Sequence, residues 1–442
     1  MTETSVARAA QDSRPPFEPT GSLEALAAVQ DRVLWLAVSM IHHANLVRGA
    51  RSSVKVGGHQ ASSASMVSIM TALYFAHLRA EDRVSVKPHA SPVLHAINFL
   101  LGRLDRRYLT ELRAYGGLQS YPSRTKDPDP VDFSTGSVGI GATASIWRAI
   151  AKRYVSTHFE AGTAGRSIAL VGDAELDEGA IWEALVDPMV PELGELLWVV
   201  DLNRQSLDRV VPGIAANRIR DMFAAAGWNT LVLKYGGRLR QLFARPDGEL
   251  LERRIDTMSN EEYQLLLRLP GEELRHALAG RGPEAAPLLA LLADLDDLEV
   301  AAALRNLGGH DLSDLLTAYA AADQAGRPSV VLAYTIKAWR LPTEGHPGNH
   351  SALLTAAQWR ALAAELGADP DDPWAGLAPG GAPAELCATA AARLQRKAPA
   401  PSPRTPEVPS ELGIRHHGRQ SSQQGLGRFL LDLARVAPEV AA

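Results

Sequence analysis

Two apolar runs in the middle of the chain each stop at a residue suited to gripping a cation. The first, in "SIALVGD", ends at Asp173; the second, in "LLWVVDLNRQ", ends at Asn203. Between them "AELDEGAIWEAL" has the composition of a turn followed by a helix. Short continuous apolar runs read as buried strands of a parallel sheet, and ligands of such sheets sit beyond the carboxyl ends of the strands. Consecutive elements usually lie side by side, so Asp173 and Asn203 are expected to be neighbours. A carboxylate, an amide oxygen and the Gln205 backbone carbonyl form an all-oxygen donor set. Such hard ligands suit Mg²⁺ or Ca²⁺, and Mg²⁺ normally completes its octahedron with phosphate oxygens and water. The backbone N–H groups of Gly172, Asp173, Ala174 and Glu175 would face the same phosphates. These residues therefore point to a metal–diphosphate site. They also suit plainer duties, Asp173 as a helix cap and Asn203 as a turn residue.

The elements that must position these groups can be read on either side. Leu26, Val29, Val33, Leu36 and Met40 recur at helical spacing. "SASMVSIMTALYFAHL" is a largely apolar, hence buried, helix, and "PVLHAINFLLGRL" a third. "RIRDMFAAAGWNTLVLKYG" reads as helix then strand, and "SDLLTAYAAADQAGRPSVVLAYTIKAW" as helix, turn and strand. Alternation over residues 130–340 predicts an α/β fold: a parallel sheet of about five or six strands, helices on both faces and a helical amino-terminal layer. Residues 1–20 read as a disordered arm and 21–365 as the main domain. Residues 366–415 read as a Pro/Ala-rich linker region. Residues 416–442 read as the first helix of a domain that the sequence does not contain.

Composition bounds the remaining possibilities. The 442 residues are 46 % apolar and 21 % charged, with a net charge of −5, so no basic face for nucleic acid is implied. No apolar run reaches the roughly 18 residues of a membrane span. One cysteine, Cys387, excludes an internal disulfide and suits a cytoplasmic protein.

The Gly-Asp-x pattern followed about 30 residues later by Asn-x-Gln resembles the thiamine diphosphate signature. The wider text "GDAELDEG…DLNRQSLD" is similar to the amino-terminal, diphosphate-binding half of transketolase-like enzymes. It is most similar to the homodimeric type of pyruvate dehydrogenase decarboxylating component. "VKVGGHQASSASM", "VKPHASPVLHAINFLLG", "VDFSTGSVGIG", "AAAGWNTLVLKYG", "RNLGGHD" and "AYTIKAWRLPTEGHPGNHSALLT" agree in order, over about residues 22–360. The resemblance implies thiamine diphosphate and Mg²⁺ as cofactors, with Asp173, Asn203 and the Gln205 carbonyl as metal ligands. It implies a diphosphate contact through the turn Ser137, Val138 and Gly139, and active-site roles for His59, His89 and His350. His350 lies with His346 in the family's mobile loop. The apolar stretch 63–78 would contribute to protomer contacts, or simply be core.

The resemblance further implies decarboxylation of a 2-oxo acid, with pyruvate foremost, and transfer of the acyl group to a lipoyl acyltransferase. Ketol transfer of the transketolase type, and a non-catalytic remnant or regulatory subunit, are the alternatives. In the family the pyrimidine ring of the cofactor and its activating glutamate belong to the next domain. A second chain or domain, and an oligomer, are therefore expected, with no activity from this chain alone. Three departures stand out. Ala174 replaces a glycine of the signature, Asp201 adds a carboxylate that would repel a diphosphate unless it faces away, and Ala338 and Arg340 stand where glycines are common.

Overall fold

The computed structural model describes residues 22–48, 55–159, 165–206, 209–210, 214–396 and 407–441. The expected arm 1–20 lies outside them. The chain divides into two compact units, one running to Gln395 and one beginning at Arg396.

The first unit is built on five parallel strands: β1 (Arg83–Ser85), β2 (Ser167–Gly172), β3 (Leu196–Leu202), β6 (Asn229–Leu233) and β7 (Ser329–Tyr334), in the order β1-β2-β3-β7-β6. A short antiparallel pair, β4 (Gln205–Ser206) and β5 (Arg209–Val210), follows β3. Every residue of β2, β3 and β7 is buried, which their unbroken apolar sequences require. Alternate side chains enter two separate cores. Ile168, Leu170, Leu197 and Val199 join the larger one. Ala169, Val171, Trp198 and Val200 join the smaller, packed under the helix Ile140–Phe159. Trp198 Nε1 donates to Ser145 Oγ of that helix at 2.9 Å, so even the indole nitrogen of this buried ring is paired. The α/β expectation, with helices on both faces and a helical amino-terminal region, describes this architecture.

The amino-terminal helices are central rather than peripheral. The helix Leu23–His42 starts at Ser22, whose Oγ accepts the Ala25 N–H at 3.1 Å. It then buries Val29, Val33, Leu36, Met40 and Ile41 in the larger core. The stretch 63–78 is not one helix. It comprises Gln60–Ala64, Val67–Thr71 and a wider turn Ala72–His77, all buried by other elements of this same chain.

Part of the region 366–415, expected to be linker, is packed instead. Residues 366–395 belong to the first unit. Trp35 Nε1 donates to the Pro373 carbonyl at 2.8 Å, and the helix Ala382–Arg393 inserts Leu386, Cys387 and Ala390 into the larger core. The Pro and Gly residues of this stretch lie in turns between packed helices rather than in a linker. The second unit holds a helix, Ser422–Val436, with a Ser421/Gln424 capping box.

A chain shortened to Gln395 should therefore unfold at a higher denaturant midpoint than one shortened to Glu365, which would lose Leu386, Cys387, Ala390 and Leu394 from the core. Equal midpoints would show that 366–395 contributes nothing to packing.

Candidate functional site

Asp201, the penultimate residue of β3, is fully buried at the carboxyl end of the sheet. Its Oδ2 accepts from Lys87 Nζ at 2.5 Å, Ser65 Oγ at 2.7 Å and Asn203 Nδ2 at 3.3 Å. Its Oδ1 accepts from the Thr335 hydroxyl. Burial alone would raise the Asp201 carboxyl, but the Lys87 ammonium and the hydroxyl donors override it and hold it below the usual carboxylate range. The same pairing keeps Lys87 charged against its own burial. The carboxylate expected to repel a diphosphate is thus neutralised within the protein.

Asp173 follows β2 directly. Its Oδ2 accepts the Arg204 N–H at 2.7 Å and its Oδ1 the Ala174 N–H at 2.9 Å. Gly172 is opposite Asp201 in the β2–β3 register, so Asp173 and the 203–205 segment meet as the strand order required. Arg204 adopts φ = 59°, a left-handed conformation, with its guanidinium over the Tyr263 ring at 5.0 Å. Asn203 Oδ1 accepts the Gln205 N–H at 3.0 Å. Glu175 Oε2 accepts the Gly172 N–H at 2.8 Å. Two of the N–H groups expected to face phosphate, those of Gly172 and Ala174, are therefore occupied by carboxylates. Gly172 also closes on Lys87: a Cβ there would lie 2.9 Å from Lys87 Cε.

The donor set fits a divalent cation. Burial, with Asp201 nearby, pushes the Asp173 carboxyl up to about 6, and burial pushes Glu175 up to about 7. Among the described residues Lys87 is the cation acting on Asp173, Glu175 and Asp201, so negative charge is in excess. The Gln205 side-chain Nε2 and Oε1 are buried with no hydrogen-bond partner among the described residues. A hard cation would satisfy such oxygen-rich, charge-unbalanced surroundings. The turn at 137–139 leaves Ser137 and Val138 at the surface. Gly139, at φ = 74°, is pressed against Ile181, where a Cβ would lie 2.8 Å from Cγ1. Loop 119–135, leading to this turn, is tied by His95 Nδ1 to Asp129 at 2.9 Å, and by Asp127, which accepts the Gln119 and Ser123 N–H groups.

The three expected histidines converge. The His59 and His89 rings are 4.3 Å apart and those of His59 and His350 are 4.5 Å apart. His59 Nδ1 lies 2.9 Å from the His350 carbonyl, which can only accept; Nδ1 therefore carries the proton. Burial lowers the His59 ring, and burial with His59 and Lys87 nearby lowers His89 to about 3. Both are neutral at pH 7, leaving His59 Nε2 as a free base. His346 is exposed outside this group. A pocket reaching His59 and His89 is lined also by Gly58, Ser91, Arg113 and Ser120.

Sequence reasoning missed Lys87, Ser65, Thr335, His310 and Tyr121. His310 stacks on Trp339 at 4.4 Å and accepts the Ile336 N–H at 2.9 Å, fixing the backbone beyond β7. Tyr121 meets His89 edge-on. Lys87 stands two residues before His89 in "VKPHASP" and was the nearest signal available.

Residues 52–243 match the family described as "Transketolase, thiamine diphosphate binding domain". The chain is 30 % identical over 336 residues to the pyruvate dehydrogenase E1 component of Escherichia coli (strain K12), covering 73 % of this chain and 37 % of that protein. It is 32 % identical over 338 residues to that of Mycobacterium tuberculosis (strain ATCC 25618 / H37Rv), covering 72 % and 35 %. This chain therefore spans little more than a third of those relatives. Among solved structures, transketolase from Campylobacter jejuni subsp. jejuni NCTC 11168 superposes with a TM-score of 0.59 at 17 % identity, covering 84 % of this chain and 47 % of that one. Transketolase from Leishmania mexicana gives 0.58 at 15 %, covering 94 % and 48 %. These two show the fold.

Two outcomes test the electrostatics. Lys87→Met leaves Asp201 buried and unpaired and should cost about 3–5 kcal/mol. Adding Asp201→Asn should recover part of it in denaturant unfolding. Glu175 has a higher pKa folded than unfolded, so the native state binds more protons between about pH 4 and 7 and loses stability as pH rises through that window. Metal-free Glu175→Gln should therefore be more stable than the parent by about 1–2 kcal/mol at pH 8, a gain that vanishes toward pH 5.

Proposed function

We propose that this chain, with its transketolase-type thiamine diphosphate binding domain homologous to pyruvate dehydrogenase E1 components, is the diphosphate- and Mg²⁺-holding half of a 2-oxo acid decarboxylating enzyme. Pyruvate, named in those relatives, is the first substrate to try. The observation that carries the reading is the convergence of two unlike groups at one end of the sheet. One is an oxygen-rich, negatively unbalanced cluster around Asp173; the other is the imidazole cluster of His59, His89 and His350.

In this reading Asp173, Asn203 and the Gln205 carbonyl hold Mg²⁺, and the turn Ser137–Gly139 lies against the diphosphate. When bound, thiamine diphosphate supplies a nucleophilic thiazolium carbon and an electron sink for decarboxylation. The chain supplies orientation and proton handling. His59 is held by the His350 carbonyl with its Nε2 lone pair free, so it can accept a proton or a hydrogen bond from the substrate region. His89, kept neutral by burial, does not present a positive charge there. Lys87 acts from behind, fixing Asp201 and through it Asn203.

A second chain or domain completes the site. One feature supports this: Ile140, Trp147 and Tyr154 recur at a spacing of seven on the helix that leaves the diphosphate turn, and are 49 %, 48 % and 57 % exposed. An apolar row on a helix is suited to burial against a partner. Transfer of the product acyl group to a lipoyl acyltransferase, and a cytoplasmic setting, belong to the same proposal.

Calorimetry on the full chain with the chain that copurifies tests the assignment. Asp173→Ala should abolish Mg²⁺-dependent binding of thiamine diphosphate; unchanged affinity would remove Asp173 as a ligand. The isolated chain, given cofactor, Mg²⁺ and pyruvate, should release no CO₂ above background. Turnover by it alone would show that the activating glutamate lies within this sequence.

A further inference from the structure

The metal side of the site has surplus negative charge, whereas the opposite side has surplus positive charge. Arg113 lines the pocket that reaches His59 and His89, together with Ser91 and Ser120. It is half-buried, and its backbone is held at φ = 58°, a conformation that non-glycine residues adopt at a cost. Its guanidinium has five donors, yet its one described hydrogen bond is a long one, 3.3 Å from Nη1 to the Val56 carbonyl. Among the described residues it makes no ion pair. Lys55 stands near it, with its ammonium on the Ser351 carbonyl rather than on a carboxylate. Burial lowers Lys55, and Arg113 lowers it further. The charges acting on the two neutral imidazoles are cations: Arg113, Lys55 and Lys337 on His59, and Lys87 and Arg113 on His89. A half-buried arginine that lines a pocket and has no counter-ion among the described residues is suited to planar recognition of a carboxylate or phosphate.

Which anionic group it receives follows from the reaction. The carboxylate that leaves as CO₂ loses its negative charge in the transition state. A cation paired with it would stabilise the ground state more than the transition state and slow the step. An arginine here therefore serves a group whose charge persists. We propose that Arg113, flanked by Lys55, Ser91 and Ser120, is the subsite for a second anionic group on the substrate. The preferred substrate is then a 2-oxo acid ending in a further carboxylate or phosphate. This rests on the 2-oxo acid reading above, and it sets this chain apart from the pyruvate named in its relatives.

The test is titration of the full chain, without cofactor, with pyruvate, 2-oxoglutarate and inorganic phosphate, followed by saturation-transfer NMR. Thiamine diphosphate with Mg²⁺ is titrated separately by calorimetry. Expected is at least about tenfold tighter binding of 2-oxoglutarate than of pyruvate, as a charge-assisted pair allows. Arg113→Ala should abolish that preference and Arg113→Lys should restore part of it, with thiamine diphosphate affinity unchanged in both. Phosphate competing with 2-oxoglutarate would extend the subsite to phosphorylated substrates; failure to compete would restrict it to carboxylates, and both outcomes support it. Equal binding of pyruvate and 2-oxoglutarate overturns the proposal. So does loss of thiamine diphosphate affinity in Arg113→Ala, which would assign the guanidinium to the cofactor. If thiamine diphosphate fails to bind while the arginine-dependent preference persists, the cofactor reading falls and the anion subsite stands.

Discussion

The buried pair between Lys87 and Asp201 is the constraint on which the rest of this site depends. Asp201 is reached by a residue from just beyond β1, by Ser65 from the amino-terminal helices, by Thr335 from just beyond β7, and by Asn203 two residues on. Three distant parts of the chain, and the segment that carries Asp201 itself, therefore agree on one carboxylate. An ion pair in such a place is a costly device compared with apolar packing, since both charges must leave water. Its return here is positional. It holds Asn203 next to Arg204, whose N–H Asp173 accepts, and draws the 85–89 segment, with His89, up to the same end of the sheet.

Around that pair the site has two poles. Carboxylates crowd around Asp173 and Glu175, while the cations Arg113, Lys55 and Lys337 act on His59. Unbalanced charge of either sign is unfavourable in a partly dry cleft, and each pole gains when a ligand of opposite sign arrives. The protein's own hydrogen bonds already occupy several groups that sequence would leave free, notably the Gly172 and Ala174 N–H groups. A ligand arriving there must either displace these bonds or approach from the exposed side of the Ser137 turn.

The neighbourhood of Asp173 and Asn203 was legible because it follows from local rules. Two unbroken apolar strands joined by one helix must lie parallel and adjacent, and that puts their ends together. The histidine cluster was legible only through the likeness to known enzymes, since His59, His89 and His350 are far apart in sequence. Lys87 was not legible, because a single lysine after a three-residue strand carries no periodic signal. Residues 366–395 were misread for a related reason. Their turns are rich in Pro and Gly, and what anchors them is a tryptophan more than three hundred residues away. Composition reports local preference; a long-range hydrogen bond into the core is outside its reach. Ala338 and Arg340 show the opposite case. Their positive φ values of 63° and 60° keep the glycine-like backbone without glycine. Arg340 compensates through ion pairs with Asp31 and Glu365, and Ala338 donates its N–H to the Ala61 carbonyl at 3.0 Å.

The strand order also has a consequence in time. β3 ends at Leu202 and its partner β7 begins at Ser329, and β7 alone joins β6 to the rest of the sheet. During synthesis one whole edge of β3 must wait while more than a hundred further residues are added, on the order of ten seconds on a bacterial ribosome. For that interval the most apolar strand in the chain has unpaired backbone on one side, next to a Trp198 that still lacks part of its cover. Association between nascent chains is then a hazard that this strand order creates.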